Sequence, residues 1–217
     1  GWADNTDKGW THQSTTGHWN VRAHTAEVWN SNFDCHQTIA DLPAGLYVIK
    51  SNALYRTAAN DVMSEDDEIL TCLYAGKSTA KVPNLTTGWS EEPYYSNDYH
   101  DEVSGLYLPN SMEGASVAFA QGKYECEVSS YLTEDGSLTF GIKNEGEILD
   151  DAWSIWGTFH VLYCGKSNSG LYDQVLALKT SAKGMMDAVA IVAAADTKLN
   201  DAIASTDNVS AMSSEDE

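Results

Sequence analysis

Basic side chains are scarce in this sequence. Its 217 residues include 12 lysines and arginines against 32 aspartates and glutamates, which gives a formal charge of −20 at pH 7. A nucleic-acid-binding protein needs a basic face that neutralises phosphates, and the same repulsion opposes binding to anionic membranes. The composition therefore argues against nucleic acid and anionic membrane surfaces as partners.

Long apolar runs and a secretion leader are also lacking. The longest apolar stretch, residues 188–195, is bounded by Asp187 and Asp196. It is far shorter than the roughly 20 residues that span a bilayer, so we expect no membrane insertion. The first residues have neither the basic region nor the apolar region of a signal peptide, and we expect any secretion signal to be absent from this sequence.

Sequence motifs of nucleophilic, phosphate-binding, zinc-protease and dinucleotide sites are missing, although this alone does not exclude an enzyme. The cysteines are far apart and form no CxxC pair, so a zinc site is not expected. Each lies in an apolar, strand-like run, which favours buried thiols, with one disulfide as the alternative. The four cysteines are Cys35, Cys72, Cys126 and Cys164.

Short alternations of apolar and polar residues, separated by turn sequences, fill the middle of the chain and predict strands. The predicted strands cover residues 33–39, 46–55, 69–75, 124–128, 138–142 and 153–163. One short helix is predicted between a cap at Asn110 or Ser111 and Gly122. Many strands with only one short helix among them predict a mainly β protein, an antiparallel β-sandwich of the jelly-roll type.

The composition changes after Gly170 to alanine, leucine, valine, methionine, aspartate and lysine. Apolar residues there recur in steps of four and three, which predicts a helix that packs against another surface. Gly184 and Asp196 interrupt this pattern, so we expect a helical hairpin or a broken helix. The predicted domains are a β-sandwich over residues 1–167 and a helical segment over 168–217, with a frayed acidic tail.

Aromatic and polar side chains are interleaved in residues 89–107. Sugar receptors combine flat aromatic rings with hydrogen-bonding side chains, because a sugar ring has an apolar face and a rim of hydroxyls. The alternative is that these rings fold back and cover one sheet as a second core. The predicted stacking platforms are Trp89, Tyr94, Tyr95 and Tyr99, and the predicted hydrogen-bonding residues are Asn97, Asp98, His100 and Asn144.

Clustered carboxylates and regularly spaced histidines offer weaker signals. Paired carboxylates can hydrolyse glycosides or bind calcium, but solvated loops are the favoured interpretation. His12, His18 and His24 recur every six residues, and scattered histidines are favoured over a metal site there. Arg56 and Glu27 lie in strand-like segments and are predicted to form an internal ion pair, with a ligand contact as the alternative for Arg56.

Several segments together carry a family resemblance. They are EVWN at 27–30, FDCHQTI at 33–39, LPAGLY at 42–47, LYR at 54–56, PNSM at 109–112, GKY at 122–124, DGSLTFGI at 135–142 and residues 153–165. Over residues 17–165 the chain resembles the galactose-binding-like β-sandwich modules of secreted and surface proteins from polysaccharide-degrading gram-negative bacteria. It departs from their pattern at Gly157-Thr158-Phe159, where such modules often have Asp-Asn before the final Phe.

The resemblance implies a jelly-roll sandwich, sugar recognition by loops at one rim, no catalysis and often a structural calcium ion. It also implies an extracytoplasmic protein, secreted or at the cell surface, with neighbouring domains in a larger surface protein. We therefore predict noncatalytic binding of a polysaccharide or oligosaccharide, and a neutral one because of the acidic charge. A structural or adhesive interaction module is the alternative, and a glycoside hydrolase is the less favoured one.

Overall fold

A computed structural model of the protein describes residues 2–15, 18–57, 68–144, 146 and 151–166. Within these ranges the chain is mainly β, as predicted, with thirteen strands and one α-helix. The predicted helical segment over 168–217 lies outside the described residues. The strands are β1 (Thr11–Ser14), β2 (Trp19–Arg22), β3 (Thr25–Trp29), β4 (Phe33–Leu42), β5 (Gly45–Arg56), β6 (Thr71–Ala75), β7 (Ser78–Lys81), β8 (Tyr99–His100), β9 (Tyr107–Leu108), β10 (Glu125–Leu132), β11 (Gly136–Asn144), β12 (Trp153–Trp156) and β13 (His160–Gly165), and the helix is α1 (Met112–Ala120).

The strands form an antiparallel β-sandwich of two main sheets. One sheet has the order β1-β4-β11-β6-β7, and the other has the order β10-β5-β12-β3-β2, with β13 also paired to β5. A separate two-stranded sheet pairs β8, in the middle of the aromatic stretch (residues 89–107), with β9 at its end. In the second sheet, Trp153 of β12 lies opposite both Trp29 of β3 and Arg56 of β5. This register places three large side chains in one row across three strands.

The core between the sheets follows from the alternation of apolar residues along the strands. Alternate residues of a strand point to opposite faces, so each strand contributes one apolar row. Phe33, Tyr55, Ile142 and Trp156 are among the buried residues of this core. The rings of Phe33 and Trp156 stack with centroids 5.3 Å apart.

The helix and most strands agree with the sequence prediction. Ser111 caps α1, because its hydroxyl accepts a hydrogen bond from the Gly114 amide at 3.1 Å. The predicted single strand over 153–163 is wrong, since it divides into β12 and β13. Between them Gly157 donates its amide hydrogen to the Asn52 carbonyl at 2.9 Å, and Phe159 turns its ring onto Trp10.

The chain divides into two compact units. The first comprises Gly1–Ala40, Ile49–Val128 and Ser137–Val161, and it contains the buried core residues named above. The second comprises Asp41–Val48, Ser129–Gly136 and Leu162–Glu217. In the second unit the buried Tyr47 donates its hydroxyl to the Pro43 carbonyl at 2.7 Å, and Tyr163 donates to the Ala44 carbonyl at 2.9 Å.

All four cysteines lie in the described ranges, and none of them is in a disulfide bond. Cys35 is buried, Cys72 and Cys126 are partly buried, and Cys164 is exposed. Burial raises the pKa of Cys126 to about 12 and raises that of Cys35 as well. Thiols are therefore confirmed over a disulfide, but the prediction that they are buried holds fully for Cys35 alone. In the described part of the chain no helix has the length and hydrophobicity needed to cross a membrane.

Candidate functional site

The aromatic stretch folds back onto the second sheet. A second apolar cluster covers the outer face of that sheet, and α1 contributes to it. Its buried members are Leu54, Leu85, Tyr94, Leu108, Met112, Ala115, Ala118, Tyr124, Trp153 and Ile155. The structure thus favours the interpretation that most of these rings form a second core.

This packing corrects the predicted sugar platforms. Tyr94 is only 7 % exposed and donates its hydroxyl to the Gly88 carbonyl at 2.6 Å, so its ring face is not available to a ligand. Trp89 and Tyr99 are partly buried and pack against the second cluster. Tyr95 is 46 % exposed. Of the four predicted platforms, Tyr95 is therefore the one that presents its ring to solvent.

Asp98 supports the folded-back stretch instead of facing a ligand. Its carboxylate accepts hydrogen bonds from the amides of Tyr95 at 2.9 Å and Asn110 at 3.4 Å. It also occupies the space that a side chain at Gly114 would need, which fixes the stretch against α1. Burial raises the pKa of Asp98, and the backbone hydrogen bonds oppose this. His100, also predicted as a contact, stacks on Tyr107 with ring centroids 4.5 Å apart.

Replacing Asp98 with alanine is expected to cost about 1–3 kcal/mol of stability at pH 7, because two backbone amides lose their acceptor. A raised folded-state pKa means that the native protein binds the proton more tightly than the unfolded chain does. The stability difference between wild type and Asp98→Ala should therefore grow as the pH falls through the raised pKa, and level off below about pH 4. Urea unfolding from pH 7 to pH 3 measures this, and a difference that shrinks on acidification would show that the hydrogen bonds outweigh burial.

A depression of about 270 Å³ lies on the first unit beside the row formed by Trp29, Trp153 and Arg56. The sequence has two arginines, Arg22 and Arg56, and both line this depression. The complete lining is Arg22, Glu27, Trp29, Arg56, Asn97, Asn110, Ser111, Met112, Asp151 and Trp153. Both guanidinium groups of this acidic protein therefore line the same small depression.

A hydrogen-bonded network forms one wall of the depression. The indole nitrogen Nε1 of Trp153 donates to Glu27 Oε2 at 2.7 Å, and Asn20 donates to Glu27 Oε1 at 2.9 Å. The Arg56 guanidinium carbon lies 4.7 Å from the centre of the Trp153 ring, and Arg56 Nη1 donates to Asn110 Oδ1 at 2.5 Å. These contacts hold the charged groups in fixed positions.

The predicted ion pair between Glu27 and Arg56 is corrected by this network. Both residues line the depression, but within the described chain they do not pair directly, because each has other partners. Burial lowers the pKa of Arg56, while the charges of Asp151 and Glu27 oppose that shift. The guanidinium remains a cation at neutral pH, since an arginine pKa ordinarily lies above about 12.

Trp29 gives the depression an accessible aromatic surface. Its side chain is 39 % exposed, whereas Trp153 beneath Arg56 is 4 % exposed. The imidazole of His18 stacks on the Trp29 indole with ring centroids 4.0 Å apart and planes 17° apart. An apolar ring surface beside amide, guanidinium and carboxylate groups suits a ligand that has both an apolar face and hydroxyls.

Sequence reasoning found part of this site and missed the rest. Asn97 lines the depression, as do Glu27 and Arg56, but the notable aromatic surface belongs to Trp29. Asn144 is 5 % exposed, accepts a hydrogen bond from the Gly146 amide at 3.0 Å and lines a different depression with Asn32 and Asp34. The signal that could have found the site is the scarcity of arginine, because both arginines converge there.

A larger depression, of about 470 Å³, lies elsewhere on the first unit. Its lining includes Lys50, Glu125 and Glu127, and Lys50 Nζ pairs with Glu127 Oε2 at 2.8 Å. Its lining contains no tryptophan, tyrosine or phenylalanine. It therefore lacks the stacking surface that the smaller depression has.

The resemblance implies a structural calcium ion, whose ligands would be carboxylate, amide or carbonyl oxygens. Across the described ranges, no three histidine, cysteine, aspartate or glutamate side chains come together as a metal site. His12 and His18 instead stack on Trp19 and Trp29, respectively. The calcium ion therefore stays a prediction of the resemblance.

Comparison with known proteins adds one distant likeness. No protein-family model matches the chain, and no curated protein matches it. Among solved structures, it is similar to TmCBM61, whose structure was solved in complex with beta-1,4-galactotriose. The TM-score is 0.41 and the identity 11 %, over 75 % of this chain and 94 % of that one. At this TM-score the likeness carries no argument about the ligand or the site.

Proposed function

We propose that the protein is a noncatalytic carbohydrate-binding module whose site is the depression beside Trp29. The observation that carries the proposal is the exposed indole of Trp29 next to Arg22, Arg56, Asn97 and Asn110. A sugar ring can lie against an indole while its hydroxyls exchange hydrogen bonds with such polar groups. The chain's resemblance to galactose-binding-like modules supports the same class of ligand.

A neutral sugar is the ligand that the charges favour. Arg22 and Arg56 are balanced by Glu27 and Asp151 in the lining, so the depression has no excess of positive charge. The protein as a whole carries a formal charge of −20, which repels polyanionic chains. The guanidinium and carboxylate groups then serve as donors and acceptors for hydroxyls.

The noncatalytic part of the proposal rests on how the carboxylates are used. A hydrolase needs one carboxyl free to donate a proton and another free to attack or to activate water. The described lining contains two carboxylates, Glu27 and Asp151, and both oxygens of Glu27 accept hydrogen bonds from protein groups. Asp151 alone cannot fill both roles, so the lining suits binding better than hydrolysis.

The adhesive alternative depends on a large exposed aromatic patch. The folded-back stretch buries Tyr94 and partly buries Trp89 and Tyr99, which leaves little of that patch. We therefore favour the recess over a flat interaction surface. An extracytoplasmic location, with neighbouring domains in a larger surface protein, is proposed on the resemblance alone.

The test is a screen of the protein against neutral and acidic glycans, followed by affinity electrophoresis of two variants. Trp29→Ala should weaken retention on the bound glycan by about tenfold or more, as expected for loss of a stacking contact of about 1.5 kcal/mol. Tyr95→Ala, which removes the exposed ring outside the depression, should leave retention unchanged. Loss with Tyr95→Ala but not with Trp29→Ala would move the site to the aromatic stretch. Repeating the retention measurement with added calcium and with a chelator tests whether glycan binding depends on the calcium ion that the resemblance implies.

A further inference from the structure

His18 lies behind the aromatic surface of the proposed site. The strands β2 and β3 form an antiparallel pair, and the Trp29 amide donates to the His18 carbonyl at 3.4 Å. The same two residues meet through their side chains, with ring centroids 4.0 Å apart. His18 Nδ1 lies 3.2 Å from the Trp29 carbonyl oxygen. Because a carbonyl can only accept, Nδ1 carries the hydrogen in this contact.

These contacts fix the imidazole and, through it, the indole. A partly exposed tryptophan loses rotational freedom when a ligand stacks on it, and this loss of entropy lowers the affinity. An imidazole anchored to the backbone of the same tryptophan covers one ring face and restricts the ring before any ligand arrives. Because the ring has already lost part of its rotational freedom in the free protein, less is lost on binding, and the affinity is higher.

We infer that His18 is a positioning residue of the site, holding the Trp29 indole in the orientation that a sugar ring contacts. The inference rests on the proposed function for its effect on binding. Its structural part, the restraint of the Trp29 ring, stands independently of any ligand. His18 is therefore expected to act without touching the sugar.

The chain contains a matched control. His12 stacks on Trp19 with ring centroids 4.1 Å apart and planes 1° apart, and neither residue lines the depression. His12→Ala removes an equivalent histidine–tryptophan stack at another place in the first unit. A general loss of stability should therefore follow either substitution, whereas a loss of sugar affinity should follow only one of them.

The test measures the affinity of four proteins for the best glycan of the screen: wild type, His18→Ala, His18→Phe and His12→Ala. We expect His18→Ala to weaken binding about threefold to tenfold, because the ring then loses more of its rotational freedom on binding. His18→Phe keeps a flat ring behind the indole and should recover most of the loss, and His12→Ala should bind as wild type does. Unchanged affinity in His18→Ala, or equal losses in His18→Ala and His12→Ala, would overturn the inference.

A second readout separates this inference from the proposed function. The indole N–H signal of Trp29 in a ¹⁵N spectrum, assigned by its disappearance in Trp29→Phe, reports the ring without any ligand. It should shift and broaden in His18→Ala and return toward its wild-type position in His18→Phe. If the wild type binds no glycan but the signal behaves in this way, the proposed function is contradicted, whereas the role of His18 in positioning Trp29 is supported. A Trp29 signal that is unchanged in His18→Ala overturns the positioning itself.

Discussion

Replacing Gly141 with alanine is expected to destabilise the sandwich by about 3 kcal/mol or more. Gly141 lies in β11, which neighbours β4 in the first sheet. A Cβ atom at this position would collide with the carbonyl oxygen of Cys35 and lie 2.8 Å from the Cα of His36. Both are backbone atoms, so the clash cannot be relieved by rotating a side chain, and the two strands would have to separate.

The matched control for this prediction lies at the start of the same strand. A Cβ atom added to Gly136 would meet its nearest neighbour, the Glu134 carbonyl, at 3.9 Å, which is an ordinary contact. Gly136→Ala should therefore be neutral or slightly stabilising, because alanine reduces the freedom of the unfolded chain. Urea unfolding followed by circular dichroism compares the two variants. Equal stabilities for Gly141→Ala and wild type would contradict the close approach of β4 and β11.

Trp153→Ala is expected to lower stability by about 3–5 kcal/mol, the range found when a large buried aromatic side chain is removed. Trp153 belongs to the second apolar cluster, donates to Glu27 and lies under the Arg56 guanidinium. Its removal opens a cavity beneath the aromatic stretch. It also leaves Glu27 Oε2 without the indole donor and Arg56 without the ring over which its guanidinium lies.

Trp153→Phe separates these contributions. Phenylalanine keeps an apolar ring below Arg56 but lacks the N–H that Glu27 accepts, so a smaller loss of about 1–3 kcal/mol is expected. The free energies of unfolding in urea, at constant m-value, give both losses. If Trp153→Phe proves as damaging as Trp153→Ala, the hydrogen bond to Glu27 dominates. If neither variant loses stability, the second cluster does not support the fold as described.

The strands were predictable because each carries its own signal. Alternation in residues 33–39 and 138–142 identifies a strand regardless of what it pairs with, and β4 and β11 contain these stretches. The helix was predictable for the same local reason, since Ser111 and Gly122 mark its ends. By contrast, the division of residues 153–163 into two strands depends on where Phe159 packs, which is a property of the folded core.

The site was less predictable because its parts come from distant segments. Trp29, Arg56 and Trp153 meet only through the register of β3, β5 and β12, and no local pattern records that register. In the aromatic stretch the local sequence does not tell which rings are buried. Tyr94 and Tyr95 are neighbours of the same residue type, but Tyr94 is buried and Tyr95 is exposed. Only the packing against α1 and the second sheet decides this difference.

The most direct test of the account is a nuclear magnetic resonance titration with the glycan that binds best in the screen. The depression beside Trp29 predicts shifts of the Trp29 indole N–H and of the side-chain amides of Asn97 and Asn110, while the backbone amides of His100 and Asn144 stay in place. Shifts confined to Tyr95 and His100, or to the depression that Asn144 lines, would contradict the assignment of the site. A protein that binds no glycan at all would contradict the proposed function.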